Sequence, residues 1–366
     1  MTIITILAVV FMLSLLIFIH ELGHFLAATK FGIKVEEFAI GMGPVFFKRD
    51  SKKFNTKFTL RLIPIGGFCN IKGENGENHN EKDSFGSKKI WQRAIVLSAG
   101  VFLNLLLAIL FFYFSAILGS SQIITEELEN QKGITINSYR PIIFLPSDGT
   151  LEGQISSVYY LNKINNIDFS ETLIFNAMEY LQGQEISNII VEDSFGKEKE
   201  LTITYNYSGE DIEDSYLLDN LGFMNSGIVS YSPLYAIPEA FSATWSSFSD
   251  MLFGLKYLFS NIFSGDGIPD GFAGPIGIAV VTKNFISQGF GVYINWVAII
   301  SLNLFLVNLL PFPALDGGRL VFLLIEAIRR KPVKQEIEGW VNLVGFALLM
   351  LLMVIITYKD IIRFIA

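Results

Sequence analysis

Two histidines and a glutamate interrupt an otherwise apolar run, and that run limits what the chain can fold into. From Ile3 to Ala28 the only charged or imidazole side chains are those of His20-Glu21-Leu22-Gly23-His24. The run is long enough for a helix that crosses a hydrocarbon core, which takes about 20 residues. On a helix, His20 and His24 share one face, roughly 6 Å apart along the axis, a spacing that suits two imidazoles on one Zn²⁺. Glu21 is then placed to act as general base on a metal-activated water. Ionisable groups in a membrane span cost about 2–3 kcal/mol each, so they mark function rather than filler. A cleaved signal peptide would carry a positive flank and an apolar stretch of about 7–15 residues. No positive residue precedes this run, and the run is longer.

The composition agrees with a membrane chain. The 366 residues are 51% hydrophobic and 17% charged, with a mean hydropathy of +0.46. This predicts a polytopic membrane protein with a substantial soluble part. Four spans are expected, at about 3–28, 95–118, 292–310 and 340–358. A single cysteine, Cys69, excludes an intrachain disulfide and a cysteine-rich zinc site. No basic tract with interleaved aromatics is present, which argues against a nucleic-acid partner.

Loop charge predicts the orientation. Residues 29–94 hold 13 Lys/Arg against 7 Asp/Glu, whereas residues 119–291 hold 7 against 22. The segment 311–339 adds Arg319, Arg329, Arg330, Lys331 and Lys334. The positive-inside rule then puts 29–94 and 311–339 in the cytoplasm, and both termini and 119–291 outside.

Within 29–94, Asn55 to Ile63 alternates polar and apolar residues as a strand does, and Pro64-Ile65-Gly66-Gly67-Phe68 is expected to turn it back. Gly41-Met42-Gly43-Pro44 opens an earlier turn. A β-hairpin or small sheet is expected beside the active-site helix, either as an ordinary surface hairpin or as an edge strand for an unwound substrate. His79, in the polar stretch from Glu74 to Ser84, reads as a solvated loop residue.

The outer segment 119–231 predicts one soluble domain with strands at Gly133–Asn137, Ile155–Val158, Ile186–Val191 and Glu200–Tyr205. A helix is expected over Ser170–Leu181. Residues 232–291 form an amphipathic helical region that lies in the interface or packs on the bundle.

Beyond the third span comes Asn308-Leu309-Leu310-Pro311-Phe312-Pro313-Ala314-Leu315-Asp316-Gly317-Gly318. The two prolines break the helix near the cytoplasmic face. A helical histidine pair needs a third protein ligand and leaves a fourth position for water. The topology brings the cytoplasmic end of the first span and Asp316 to the same level. Asp316 is therefore the expected third ligand, with Glu326 and Glu36 as the other nearby carboxylates. The alternative is that Asp316 serves as the N-cap of a helix starting at Gly317.

His20-Glu21-Leu22-Gly23-His24 together with Asn308-x-x-Pro311-x-Pro313-x-Leu315-Asp316-Gly317 resembles the site-2 protease family of intramembrane zinc metalloproteases, in its bacterial branch that regulates sigma-E. Ile63 to Phe68 resembles that family's membrane-associated β-loop. Gln92-Arg93-Ala94 and Ala99-Gly100-x-x-x-Asn104 resemble its second span, and Ala273 to Ile278 the approach to its third.

The resemblance implies four transmembrane helices, a cytoplasmic membrane-associated β-loop and one extracytoplasmic PDZ-like α+β domain. It implies Zn²⁺ held by His20, His24 and Asp316, with Glu21 as catalytic base. Asn308, Pro311, Pro313, Gly66 and Gly67 would contact substrate. Partners would be the lipid bilayer and single-span transmembrane substrates such as anti-sigma factors or remnant signal peptides, with the PDZ-like domain contacting substrate or regulators. The sequence departs from the family's pattern at Val101, where proline is usual, and at Arg319, where histidine is common. The Ile155–Asp168 stretch resembles a PDZ motif with Asn166 in place of glycine. Two other readings use the same residues: a non-catalytic scaffold that binds partners through its outer domain, and a metal transporter. A transporter would need a continuous polar path through spans two to four, which hold only scattered Asn and Ser.

Overall fold

The computed structural model describes residues 3–74, 81–139, 141–143, 159–165, 167–168, 185–193, 198–206, 223–224, 226–265 and 272–364. Its helices are α1 (Ile3–Lys30), α2 (Ile90–Leu118), α3 (Glu126–Glu129), α4 (Ala236–Ser264), α5 (Pro275–Gln288), α6 (Phe290–Leu309), α7 (Asp316–Arg329) and α8 (Gln335–Phe364). Its strands are β1 (Val35–Ser51), β2 (Thr56–Ile71), β3 (Ser120–Ile123), β4 (Ile134–Tyr139), β5 (Ile142–Ile143) and β6 (Tyr159–Ile164). They continue with β7 (Ile167–Asp168), β8 (Glu185–Asp193), β9 (Glu198–Asn206), β10 (Phe223–Met224) and β11 (Ser226–Tyr231). The chain divides into two units. One holds Met1–Leu110, Thr244–Leu255 and Val297–Ala366, and the other holds Phe111–Ala243 and Lys256–Trp296.

Helices α1, α2, α6 and α8 are the four described helices long and apolar enough to span a bilayer. They match the four expected spans; α1 runs further at its C-terminal end, α2 and α6 at their N-terminal ends, and α8 at both. The fourth, expected over 340–358, extends from Gln335 to Phe364. Helical hydrogen bonding continues past the hydrocarbon width, so hydropathy alone cuts the ends short. Large apolar side chains face outward along them, among them Phe11, Leu106, Leu343 and Leu351. The amphipathic region 232–291 contains α4 and α5, neither of which is a candidate span. Pro275 opens α5 at its first turn, where its missing N–H costs nothing.

In the first unit, β1 and β2 pair antiparallel and fold on themselves. Val35–Ile40 lies against Gly67–Ile71, and Phe47–Ser51 lies against Thr56–Leu60. Glu37–Ile40 also sits beside Lys57–Leu60, in a register that rises on both strands. Each long strand therefore bends back within its own length. Gly41, Gly43 and Gly66 have φ of 84°, 82° and 89°, a region open to glycine and strained for other residues. The reversals expected at Gly41–Pro44 and at Pro64–Phe68 are these bends inside β1 and β2, and the third reversal is the tight turn after Ser51. Gly67–Ile71 is left as one outer strand of this small sheet.

Aromatic packing fixes the sheet to α1. Phe25, one residue past His24, meets Phe38, Phe54 and Phe58 edge-on, with ring centroids 5.4–5.6 Å apart. Phe25, Phe38 and Val35 are buried with Ile33, Ile71, Val96 and Leu97 in one core.

In the second unit, β11 lies between β3 and β4, and a larger antiparallel sheet has the order β10-β5-β6-β8-β9, with β7 paired to β6. Leu161, Ile164, Ile189 and Val191 are buried in it. β4, β8 and β9 cover three of the expected strands. The expected strand at Ile155–Val158, the helix over Ser170–Leu181, Asn166 and His79 lie outside the described residues. Between the third and fourth spans the sequence reading offered a helix only as the alternative starting at Gly317, and α7 occupies Asp316–Arg329. Its Leu323 is buried while Arg329 and Arg330 face outward, an amphipathic pattern that the prolines before it and the basic residues after it obscure.

Candidate metal centre

α1 and α2 cross at van der Waals contact because glycine allows it. A Cβ on Gly23 would lie 2.4 Å from the Ala99 carbonyl oxygen, and one on Gly100 would lie 2.4 Å from His24 Nε2. At this distance α2 presents a stripe spaced by four residues. Val96 O accepts a hydrogen bond from His24 Nδ1–H at 2.8 Å. Gly100 makes room for the imidazole. The Asn104 amide reaches His20 Nδ1 at 3.3 Å. His20 and His24 are 9% and 6% exposed. The bond to Val96 settles the tautomer of His24: a carbonyl only accepts, so Nδ1 carries the hydrogen and Nε2 keeps a free lone pair.

Asp316 arrives by a different route. α6 ends at Leu309, and the chain crosses Leu310–Leu315 without regular structure before α7 begins. Asp316 is the first residue of α7, and the N-cap position belongs to Leu315, which makes no side-chain cap. The capping alternative for Asp316 is thereby excluded. Three glycines hold this segment. A Cβ on Gly317 would stand 2.2 Å from Leu310 O, one on Gly318 2.3 Å from Phe312 O, and one on Gly345 of α8 2.4 Å from Pro313 Cβ. Ala314 N–H donates to Asn342 Oδ1 at 3.1 Å. Pro311 and Pro313 thus shape the break that aims Asp316.

The three side chains converge. Asp316 Oδ2 lies 3.1 Å from His20 Nε2 and 3.3 Å from His24 Nε2, and the two Nε2 atoms are 3.3 Å apart. Two donors at ordinary zinc distances in a tetrahedral shell lie roughly 3.3 Å apart, so the triangle fits one face of that shell. Asp316 Oδ2 is buried and receives no hydrogen bond, so its lone pairs are free for a cation. Among the described residues this trio is the one His/Cys/Asp/Glu group close enough to hold a metal.

A cavity of about 340 Å³ opens onto the trio, lined by His20, Glu21, His24, Asp316, Glu74 and Arg319 with Phe68 to Ile71 of β2. Gly67 stands at its edge, where a Cβ would lie 3.8 Å from Glu21 Cγ. Asn308, Pro311, Pro313 and Gly66 are not in the cavity wall. The other carboxylates weighed as ligands are engaged elsewhere: Glu326 forms a two-pronged pair with Arg93, and Asn70 donates to Glu36. Arg319 pairs with Glu74. Burial pushes the Glu74 carboxyl up from its ordinary value, with Arg319 pulling against it. A larger cavity of about 450 Å³ borders Glu74 and Arg319 but contains none of the trio.

The sequence reading assigned no site role to Gly100, Asn104 or Glu74. The Gly100-x-x-x-Asn104 spacing was visible, and so was its placement on one helix face. Its partner helix was not.

The chain is similar to known proteins along nearly all of its length. A protein of Fusobacterium nucleatum, assigned by name to the zinc metalloproteases, is 33% identical over 363 residues and covers 98% of both chains. Zinc metalloprotease RasP of Shouchella clausii is 27% identical over 442 aligned positions, and regulator of sigma-W protease RasP of Bacillus subtilis 28% over 443, each with 98% of both chains covered. The model for Peptidase family M50 matches residues 8–352, a span that takes in α1 with its histidine pair and the Asp316 break alike, and the chain belongs to that family.

Proposed function

We propose that this intramembrane zinc metalloprotease cuts single-span membrane proteins, such as anti-sigma factors or remnant signal peptides, within or near the bilayer. His20, His24 and Asp316 are the zinc ligands and Glu21 the catalytic base. The observation that carries this is the trio itself: three buried donor atoms from opposite ends of the chain, each within 3.3 Å of the others. Zinc bound there supplies Lewis acidity and lowers the pKa of water. Glu21 takes a proton from the attacking water and returns it to the leaving amide nitrogen as the peptide bond breaks.

Gly67–Ile71 supports a role in substrate binding. It is an outer strand, its Phe68 to Ile71 line the cavity, and an extended substrate could add to its free edge. Pro311, Pro313 and Gly66 serve the substrate through the shape of the break and the bend rather than through the cavity wall, and Asn308, on the last turn of α6, is the residue proposed to position the substrate. The basic loops favour a site toward the cytoplasm with the sheet domain on the outer side, and the resemblance to the site-2 protease family favours a PDZ-type fold for that domain.

The test is Glu21→Gln in purified protein, assayed on a single-span reporter with zinc content measured in parallel. The expected outcome is full zinc occupancy with cleavage abolished. Retained turnover overturns the assignment. The scaffold reading would be favoured instead if the unaltered protein showed no cleavage.

A further inference from the structure

His24 and His20 are held differently. The Nδ1 of His24 faces a backbone carbonyl, which fixes its tautomer in every state. The Nδ1 of His20 faces the side chain of Asn104, whose amide can either donate or accept. Asn104 is 0% exposed, and Ser301 Oγ donates to its backbone carbonyl at 2.8 Å, which pins α2 to α6 at this point. With the NH₂ turned toward His20, the amide Oδ1 is buried and without a hydrogen bond.

That orientation serves only one tautomer. A ring accepting at Nδ1 carries its hydrogen on Nε2 and has no lone pair there for a metal. A ring giving its Nε2 lone pair to a metal carries Nδ1–H and needs an acceptor. A half-turn of the Asn104 amide places Oδ1 where Nδ2 stands and supplies that acceptor with no other atom moving. Building on the ligand assignment above, we propose that Asn104 is a positioning residue for zinc binding, its amide oxygen accepting the Nδ1–H of His20 when the metal is held. It does for His20 what the Val96 carbonyl does for His24. Asparagine suits the metal-free ring as well, because the same side chain offers a donor when turned back.

The measurement is zinc affinity, by competition with a chelator, in purified full-length Glu21→Gln protein carrying a second change. Asn104→Leu keeps the volume and removes the acceptor, and zinc affinity should fall roughly 10–100-fold. Asn104→Asp keeps an acceptor and removes the donors, and affinity should stay within about tenfold of the parent, as expected for a carboxylate behind a zinc-bound imidazole. Melting of the metal-free protein tells lost packing from lost orientation. A purely packing role predicts the reverse order, with leucine tolerated and aspartate damaging, and that result overturns the proposal. If the leucine variant does not fold, the aspartate variant alone decides. His20→Ala is the control: if it keeps zinc, the ligand assignment itself falls and this proposal with it. If it loses zinc while Asn104→Leu does not, only the role of Asn104 is lost.

Discussion

The two halves of the metal centre reach the same accuracy by opposite means. His20, Glu21 and His24 ride on an unbroken helix, so their mutual spacing follows from 3.6 residues per turn and would survive in isolation. Asp316 follows six residues without regular structure, and its position depends on backbone carbonyls of Leu309, Leu310 and Phe312 seated against Gly317 and Gly318. The first half is local geometry. The second is tertiary packing.

Gly100→Ala attacks the helical half where it packs against α2. The new Cβ would overlap His24 Nε2 itself, so the imidazole must move. A displacement of about 1 Å from productive geometry costs on the order of 100-fold in rate, and zinc content should fall with it. Gly317→Ala attacks the other half. Its Cβ meets two carbonyl oxygens rather than a ligand, so we expect a loss of about 1–3 kcal/mol in thermal unfolding. Activity should fall while zinc is retained at saturating concentration. Equal zinc loss in both variants would break the contrast between the halves.

The smallest effect concerns the tie between them. Arg319 of α7 pairs with Glu74 at the end of β2. Folded Glu74 holds its proton more tightly than an unfolded carboxyl does, chiefly because it is buried. Its contribution is therefore complete below the ordinary glutamate range and is lost as pH rises through the raised folded value. Melting temperatures measured from pH 4 to pH 8 should show a decline in the parent that Glu74→Gln flattens, and equal slopes would remove Glu74 from the account.

What could be read from the sequence follows the same division. The histidine pair was legible because its geometry is sequential, and the span count because the bilayer imposes a length. Asp316 was legible through its proline-flanked motif, which advertises a helix break beside a carboxylate. Asn104 and Gly100 were not, since an asparagine and a glycine in an apolar helix mean little until the partner helix is known. The bends of β1 and β2 were marked by glycines, but Glu37–Ile40 lying beside Lys57–Leu60 depends on strand neighbours that no local pattern encodes. α7 was read only as the alternative helix starting at Gly317, because the prolines before it and the basic residues after it read as loop.

The glycine contacts carry one more consequence. At Gly23, Gly100, Gly317, Gly318 and Gly345 the neighbouring atoms stand within 2.7 Å of where a methyl carbon would go. None of these residues has a side chain to titrate, donate or coordinate. A survey of reactive groups would pass over all five, yet a single added carbon at any of them should be felt at the proposed zinc ligands or in the frame that holds them. In this molecule, sensitivity to mutation is concentrated where the chemistry is blank.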